Sequence, residues 1–307
     1  MAIYKKERFG IARKIVSNMT SESWEQIPHS SLSYEADVTE LLKEYKKLNE
    51  WIEDKSKKIT INTIMIKVIC EGLKEAPKMN CTLKFRRKLV RGTLKYHDNI
   101  DVTMPMILKS GEMMTVNMHD MGNKSLTEMT DAINDTIRRA NNSDMNQVMY
   151  EVSLDNTLTG LKKGKLIQTI ERLYGSKMPG KHKVHSLSGS KKKKYYSIPE
   201  EDRLTKHDIE QGTTTITNLG SVYKEQKGNC YLLEIIPPQT TAFAINAIQK
   251  RPTVITDEFG EEKIEIRSIL PITIAIDHRS LDYGDVVPCL RKFDEIFDNP
   301  SVIQNWK

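Results

Sequence analysis

The stretch that decides the fold is Ile269-Leu-Pro-Ile-Thr-Ile-Ala-Ile-Asp-His-Arg-Ser-Leu-Asp-Tyr-Gly-Asp285. Its first eight residues are almost all apolar, which predicts a buried strand. The residues that follow, from Val286 to Phe297, place apolar side chains at helical spacing and predict a closing helix. His278 therefore lies on a strand-to-helix turn, where a rigid element presents a side chain at its edge. An imidazole in that place suits a general base acting on a thiol, an amine or a hydroxyl.

Working outward, the chain alternates between helical and strand patterns. Helical spacing predicts helices over 37–51, 61–73 and 126–140, and the capping box Ser125-Leu-Thr-Glu128 marks the start of the third. Strand patterns recur at 81–85, 89–94, 100–108, 113–118, 213–217, 240–248 and 269–276. The mixture predicts an α/β fold, and 307 residues with 38% hydrophobic content suffice for a buried core.

The segment Met145–Arg203 interrupts this alternation. Apolar spacing predicts two short helices, over 145–152 and 166–174. Gly175–Tyr196 then mixes Gly, Ser, Pro and Lys and includes four consecutive lysines, Lys191–Lys194, which predicts a mobile basic loop. From Leu161 to Lys194 there are eleven Lys and Arg against one acid, so this segment accounts for the net charge of +6.

Several classes of protein and site are disfavoured. No apolar run approaches the roughly 18 residues needed to span a bilayer, and the N-terminus is no secretory signal, so we expect a cytoplasmic protein without a membrane anchor. The other six histidines show no metal-ligand spacing, and no metal is predicted. The four cysteines are far apart and are expected to be reduced thiols: Cys70, Cys81, Cys230 and Cys289.

A second motif, Gly212-Thr-Thr-Thr-Ile-Thr-Asn-Leu-Gly220, is a β-branched strand that ends in a hydroxyl, an amide and a glycine. With His278-Arg-Ser-Leu-Asp282, it resembles the catalytic domain of the acyltransferase components of 2-oxo acid dehydrogenase complexes, which shares its fold with chloramphenicol acetyltransferase. The resemblance covers Arg8–Asn142 and Leu204–Pro300. It implies a two-layer α/β sandwich of the chloramphenicol acetyltransferase type, with residues 1–307 as one catalytic domain and 145–203 as an insertion.

The resemblance also implies roles for individual residues. His278 would remove the proton from a thiol, and Thr217, which stands where the family has serine, would donate a hydrogen bond to the tetrahedral oxyanion. Asp282 would pair with Arg13 of the opening helix. Asn218, Gly220 and Tyr283 are assigned to coenzyme A binding. Because Tyr283 replaces the glycine of the family motif, with Gly284 one place later, the turn and the substrate channel are expected to differ.

The partners follow from the same resemblance. It implies a homotrimer in which His278 of one subunit faces Thr217 of its neighbour, with acyl-CoA as substrate. No lipoyl domain precedes the catalytic domain, so we expect no covalently bound lipoyl group in this chain. That absence favours a small-molecule acceptor, and a lipoyl or other acyl carrier protein in trans is the alternative. The polar C-terminus, Asn299–Lys307, predicts a free trimer.

The predicted function is transfer of an acyl group between coenzyme A and dihydrolipoamide, or a small amine or hydroxyl. The alternative is a non-catalytic trimeric scaffold that uses the basic insertion to hold an anionic partner. For Lys191–Lys194, a solvated loop is the default interpretation. Steering of coenzyme A or of an acidic carrier comes second. Nucleic-acid binding, with Tyr195 and Tyr196 stacking on bases, is disfavoured.

Overall fold

The computed structural model describes residues 4–107, 113–162, 170, 174, 186–257 and 259–307. The described helices are α1 (Ile11–Gln26), α2 (Thr39–Leu48), α3 (Ile61–Glu75), α4 (Leu126–Asn142), α5 (Met145–Lys162), α6 (Gly189–Tyr196), α7 (Leu219–Val222) and α8 (Tyr283–Asp298). The described strands are β1 (His29–Asp37), β2 (Cys81–Arg86), β3 (Arg91–Tyr96), β4 (Val102–Ile107), β5 (Met113–Met118), β6 (Thr214–Asn218), β7 (Thr241–Ile245), β8 (Gln249–Thr256) and β9 (Glu262–Asp277).

The chain divides into two compact units. The larger comprises Glu22–Pro105, Asn117–Asn134 and Gln211–Lys307. The smaller comprises Met1–Ser21, Met106–Val116 and Asp135–Glu210.

The main sheet runs in the order β1-β9-β7-β6-β4-β5, and β8 pairs with the outer part of β9. β9 is antiparallel to β1, β7 and β8, whereas β6 is parallel to both β7 and β4. From Ser268 to Asp277 every residue of β9 is buried. The apolar run that predicted a buried strand is therefore an interior strand of the sheet, flanked by β1 and β7.

A helical layer packs against this sheet, and the α/β sandwich predicted from the sequence is confirmed. α3 is buried along most of its length and packs on α8, which also contacts β1. The two helices meet closely at Gly72, where an added Cβ would lie 2.6 Å from Cys289 Sγ. Burial raises the pKa of the Cys70 and Cys289 thiols to about 12, so both are inert packing groups at neutral pH.

The predicted helix start at Ser125 is confirmed. The backbone N–H of Ser125 donates to Glu128 Oε2 at 2.7 Å, and the N–H of Glu128 donates to Ser125 Oγ at 3.3 Å. These reciprocal bonds satisfy two amides that the first turn of α4 would otherwise leave without partners.

β8 and the outer half of β9 were not predicted from the sequence. β9 begins at Glu262, seven residues before the predicted start, and pairs with β8 from Thr256 to Gln249. β8 contains Pro252, which is tolerated because this strand lies at the edge of the sheet. Its side chains alternate between half-buried and exposed, so it lacks the apolar run that marked the other strands.

In the smaller unit, α5 extends to Lys162, ten residues beyond the predicted 145–152 helix. The predicted helix at 166–174 lies outside the described residues, apart from Ile170 and Tyr174, and so does 175–185 of the predicted mobile loop. For residues 189–196 the prediction of a mobile loop is wrong, because Lys191–Lys194 lie on helix α6.

Two tyrosines at the end of α6 give the physical reason. Tyr195 is buried, and the Tyr196 hydroxyl accepts a hydrogen bond from Gln147 Nε2 of α5 at 2.9 Å and donates one to Glu151. The Arg203 guanidinium lies 5.3 Å from both ring centres. The composition of the lysine run indicated disorder, but the packing of Tyr195 and Tyr196 against their neighbours holds the helix in place.

Two further observations concern the described part of the chain. None of its helices is long and apolar enough to cross a membrane. Within the same residues, no group of three His, Cys, Asp or Glu side chains is placed to hold a metal ion.

Candidate active site

His278 is the first residue after the buried strand β9. Its backbone N–H donates to Pro28 O at 3.0 Å, which fixes the main chain where the strand ends. The imidazole is 55% exposed, so it can meet a substrate. Its Nδ1 lies 3.0 Å from Leu281 O.

That contact assigns the imidazole proton. A carbonyl oxygen can only accept, so Nδ1 of His278 must carry the hydrogen and donate it. In the neutral ring, Nε2 then holds the free lone pair and is the nitrogen able to take a proton. The Asp282 carboxylate lies 3.5 Å from the same Nδ1.

A buried ion pair fastens the backbone on either side of His278. Asp277 is fully buried, and Arg279 donates to its carboxylate through Nε at 2.9 Å and through Nη2 at 2.6 Å. The Asp277 carboxylate also accepts the backbone N–H of Arg279 at 3.0 Å. A buried charge with this many donors is compensated, and its geometry leaves the residue between the two partners little freedom.

The far side of the turn is fastened by the start of α8. Asp285 accepts the backbone N–H of Asp282 at 2.8 Å and the ammonium of Lys78 at 2.9 Å. The Asp282 N–H first, and then Lys78, hold the pKa of the Asp285 carboxyl below its ordinary value. The turn that carries His278 is thus held at both ends.

Thr217 lies near the end of β6 and is half-buried, level with Ala244 of β7. The fold uses the neighbouring threonine hydroxyls: Thr215 donates to Gln239 Oε1 at 2.7 Å, and Thr214 bonds to Thr241 at 3.0 Å. Among the described residues, the Thr217 hydroxyl has no hydrogen-bond partner. It is the hydroxyl of this strand that remains available to a substrate oxygen.

Asn218 and Gly220 have structural roles in the turn after β6. The Asn218 side chain donates to Asn62 Oδ1 at 2.7 Å and accepts the N–H of Ser221 at 2.8 Å, which caps α7. A Cβ added at Gly220 would lie 2.7 Å from Asn246 O, so only glycine fits there. Their assignment to coenzyme A binding stays a prediction, and the contacts show that both also shape the turn beside Thr217.

Tyr283, the first residue of α8, is 63% exposed. Gly284 has nothing within 4 Å of an added Cβ and does not adopt a positive φ. Tyr283 itself does not adopt a positive φ, so the tyrosine in place of the motif glycine is accommodated without backbone strain. Its contact with coenzyme A stays a prediction.

Arg13 lies on α1 in the smaller unit, and Asp282 is the N-cap residue of α8 in the larger one. Asp282 is 81% exposed, and within its own unit its carboxylate lies against His278. The pairing of Arg13 with Asp282 stays a prediction.

The two candidate groups lie at opposite ends of the sheet in one chain. Thr217 is level with Ala244, and Ala244 with Thr273 of β9, whereas His278 is five residues further along that strand. Five residues along the strand and two strand spacings across the sheet separate them by roughly 19 Å. A thioester cannot contact both side chains of one subunit at once.

The residues that hold the His278 turn were not predicted from the sequence: Asp277, Arg279, Asp285 and Lys78. One signal was available for the first two, because an acid directly after an almost entirely apolar buried strand needs a nearby cation. Lys78 gave no such signal, since it is 207 residues from Asp285.

The family model described as "2-oxoacid dehydrogenases acyltransferase (catalytic domain)" matches residues 4–151 and 190–304. A curated relative, the dihydrolipoyllysine-residue acetyltransferase component of the pyruvate dehydrogenase complex of Rickettsia felis, is 22% identical over 292 residues, covering 95% of this chain. That alignment covers 53% of the relative, so the chain spans about half the length of the curated relatives it matches.

Solved structures give the same fold. A probable dihydrolipoamide acetyltransferase from Listeria monocytogenes superposes with a TM-score of 0.65 at 19% identity, covering 97% of this chain and 95% of that one. The Azotobacter vinelandii dihydrolipoamide acetyltransferase superposes with a TM-score of 0.66 at 15% identity, covering 98% and 94%. The latter structure comes from an investigation of a serine, a histidine and an asparagine in that enzyme's catalytic mechanism.

The family model covers all three chain segments of the larger unit up to residue 304, including the strand that ends at Asn218 and the turn at His278. This protein belongs to the family of 2-oxoacid dehydrogenase acyltransferase catalytic domains.

Proposed function

We propose that this protein transfers an acyl group between coenzyme A and the thiol of dihydrolipoamide, with His278 as the general base. The observation that carries the proposal is the hydrogen bond from His278 Nδ1 to Leu281 O, on a half-exposed ring held by the Asp277–Arg279 pair. It leaves Nε2 as a base aimed away from the turn.

The reaction follows from this arrangement. Nε2 of His278 takes the proton of the acceptor thiol, and the resulting thiolate attacks the thioester carbonyl. The carbonyl oxygen becomes an oxyanion, to which the Thr217 hydroxyl donates a hydrogen bond. The intermediate then collapses, the carbon–sulfur bond to coenzyme A breaks, and the leaving thiolate recovers the proton from the imidazolium.

We further propose that the working form is a homotrimer in which each site takes His278 from one subunit and Thr217 from the next. The separation of roughly 19 Å within one chain supports this arrangement, because each subunit holds the two groups too far apart for one substrate. A related structure at a TM-score of 0.65 is the cubic core of a pyruvate dehydrogenase complex.

The test is acyl exchange between acetyl-CoA and dihydrolipoamide, followed by chromatography of the acylated product. His278→Ala is expected to lower kcat by roughly 10³-fold or more. His278→Ala and Thr217→Ala chains, co-expressed with different tags, should form mixed assemblies that recover activity, because some sites then contain both native residues. Mixed assemblies as inactive as the parents would contradict a shared site. A folded wild-type trimer that transfers no acyl group would favour the non-catalytic scaffold.

A further inference from the structure

The β2–β3 hairpin is a second strongly basic feature, distinct from the lysine helix α6. Between Cys81 and Tyr96 it contains six Lys and Arg and no acidic residue. The two strands form a separate antiparallel ribbon in which Cys81 is paired with Tyr96 and Arg86 with Arg91. Leu89 and Val90 at its tip are 55% and 82% exposed.

The pairing register collects the charges on one face of this ribbon. Side chains alternate along each strand, and directly paired residues point to the same side. Because Thr82 pairs with Lys95, Lys84 with Thr93 and Arg86 with Arg91, one face contains four exposed cations: Lys84, Arg86, Arg91 and Lys95. The opposite face contains the apolar and small residues Cys81, Leu83, Phe85, Gly92, Leu94 and Tyr96.

Nothing in the described part of the chain neutralises this face. None of the four cations forms a salt bridge there, although other Lys and Arg side chains of the described residues do. Arg86 and Arg91 are directly opposite each other, an arrangement that costs stability because like charges repel across a strand pair. An unfavourable pair of like charges on a surface strand is typical of a surface that serves in binding.

The ribbon is joined to the turn that carries His278. The Arg279 guanidinium, which holds Asp277, lies 5.9 Å from the ring centre of Phe85 on the apolar face of β2. The apolar face of the ribbon therefore lies against this turn, and a molecule held on the basic face is separated from the turn of the candidate base by the thickness of one two-stranded ribbon.

We propose that the basic face of the β2–β3 ribbon docks the acidic surface of a protein domain that brings the acyl-accepting thiol to His278. This inference rests on the proposed function and locates its macromolecular substrate. The role is recognition, by charge complementarity and steering, of a carrier whose reactive group reaches the site.

Two features favour a protein domain over a nucleotide or a nucleic acid. The four cations are spread over roughly 13 Å of ribbon, from the level of Lys95 to that of Arg86, which fits separated carboxylates better than the clustered phosphates of one nucleotide. The exposed Leu89 and Val90 extend the surface with apolar area, as in the mixed interfaces between proteins.

The test compares two variants that remove the same charge from different places. In the ribbon variant, Lys84, Arg86, Arg91 and Lys95 become alanine, and in the matched control Lys191–Lys194 become alanine. Each is titrated, by fluorescence anisotropy at two salt concentrations, with a lipoylated carrier domain of net negative charge, with coenzyme A and with a 20-base-pair DNA duplex. The activity readout is kcat/KM with this carrier domain divided by kcat/KM with free dihydrolipoamide.

The ribbon variant is expected to weaken carrier binding by roughly tenfold or more at low salt and to lower that ratio equally. The control should stay within about twofold of wild type, and added salt should weaken wild-type binding more than that of the ribbon variant. Equal losses in both variants, or a loss confined to coenzyme A or to DNA, would overturn the proposal. Anisotropy measures binding without turnover. An inactive wild type would therefore contradict the proposed function, and the carrier-binding measurements would still test the docking surface. A Lys84→Arg and Lys95→Arg variant should bind as wild type does, which separates lost charge from misfolding.

Discussion

The two ends of the central sheet carry the two candidate groups, and they are built differently. At the His278 end, a turn is fixed by side chains from its own residues and from distant ones: Asp277 with Arg279, and Asp285 with Lys78. At the Thr217 end, the backbone ladder between β6 and β7 places the residue, and its hydroxyl is left without a partner in the described chain. The position of His278 therefore depends on side-chain contacts with neighbouring residues, whereas the position of Thr217 depends mainly on backbone hydrogen bonds.

The largest effect is expected from cutting the ion pair at the His278 end. Arg279→Ala leaves the fully buried Asp277 carboxylate without its cation and should lower the free energy of unfolding by about 3–5 kcal/mol. Urea unfolding measures this loss, and Arg291→Ala, at an exposed position of α8, is the control. An unfolding free energy within about 0.5 kcal/mol of wild type would show that the Asp277–Arg279 pair does not stabilise this turn.

At the Thr217 end, substitution should lower activity and leave stability nearly unchanged. Thr217→Ala is expected to lower kcat by about 10²-fold through loss of the oxyanion donor, with little change in unfolding, whereas Thr217→Ser should keep activity. The matched control is Thr215→Val, which removes the hydrogen bond to Gln239 and should cost about 1 kcal/mol of stability instead. If Thr217→Ala and Thr215→Val had the same effect on kcat, the role of Thr217 as oxyanion donor would be contradicted.

A smaller and pH-dependent effect is expected at Asp285. Asp285→Asn replaces a carboxylate that accepts hydrogen bonds from the Asp282 N–H and Lys78, at a cost of about 1 kcal/mol at pH 7. Because the pKa of Asp285 is lowered in the folded protein, its contribution is present above the ordinary carboxyl range near pH 4 and is lost as the pH falls through the folded value. Unfolding curves of wild type and variant should therefore converge below about pH 4. A gap that persisted in acid would mean that the asparagine itself disturbs the turn.

The smallest effect is expected at Tyr283. Since Tyr283 is exposed and Gly284 needs no special conformation, Tyr283→Gly should change the free energy of unfolding by less than about 1 kcal/mol, the helix cost of glycine. The comparison of KM for coenzyme A between wild type and variant then tests the predicted contact with this substrate. An unchanged KM would contradict that contact.

Much of the fold was predictable because short-range patterns encode it. The apolar run at Ile269–Ile276, the capping box at Ser125 and the spacing of α3 and α8 each led to the observed element. The outer hairpin of β8 and β9 was not predictable in this way, since its edge strand has neither an apolar run nor a regular start signal. The lysines of α6 misled for a related reason: composition describes a segment by itself, and Tyr195 is fixed by packing that composition does not contain.

By itself, the sequence determined the α/β class, the places of His278 and Thr217 on their elements, and a resemblance in motif order that the family match confirmed. Only the tertiary structure decided that those two residues lie at opposite ends of one sheet, that Asp277 and Asp285 fasten the histidine turn, and that four cations share one face of the β2–β3 ribbon. The physical reason is the distance along the chain over which each kind of interaction acts. Periodicity and caps act within a few residues of chain, whereas strand register and ion pairs join residues far apart in sequence, such as Lys78 and Asp285, which are 207 positions apart.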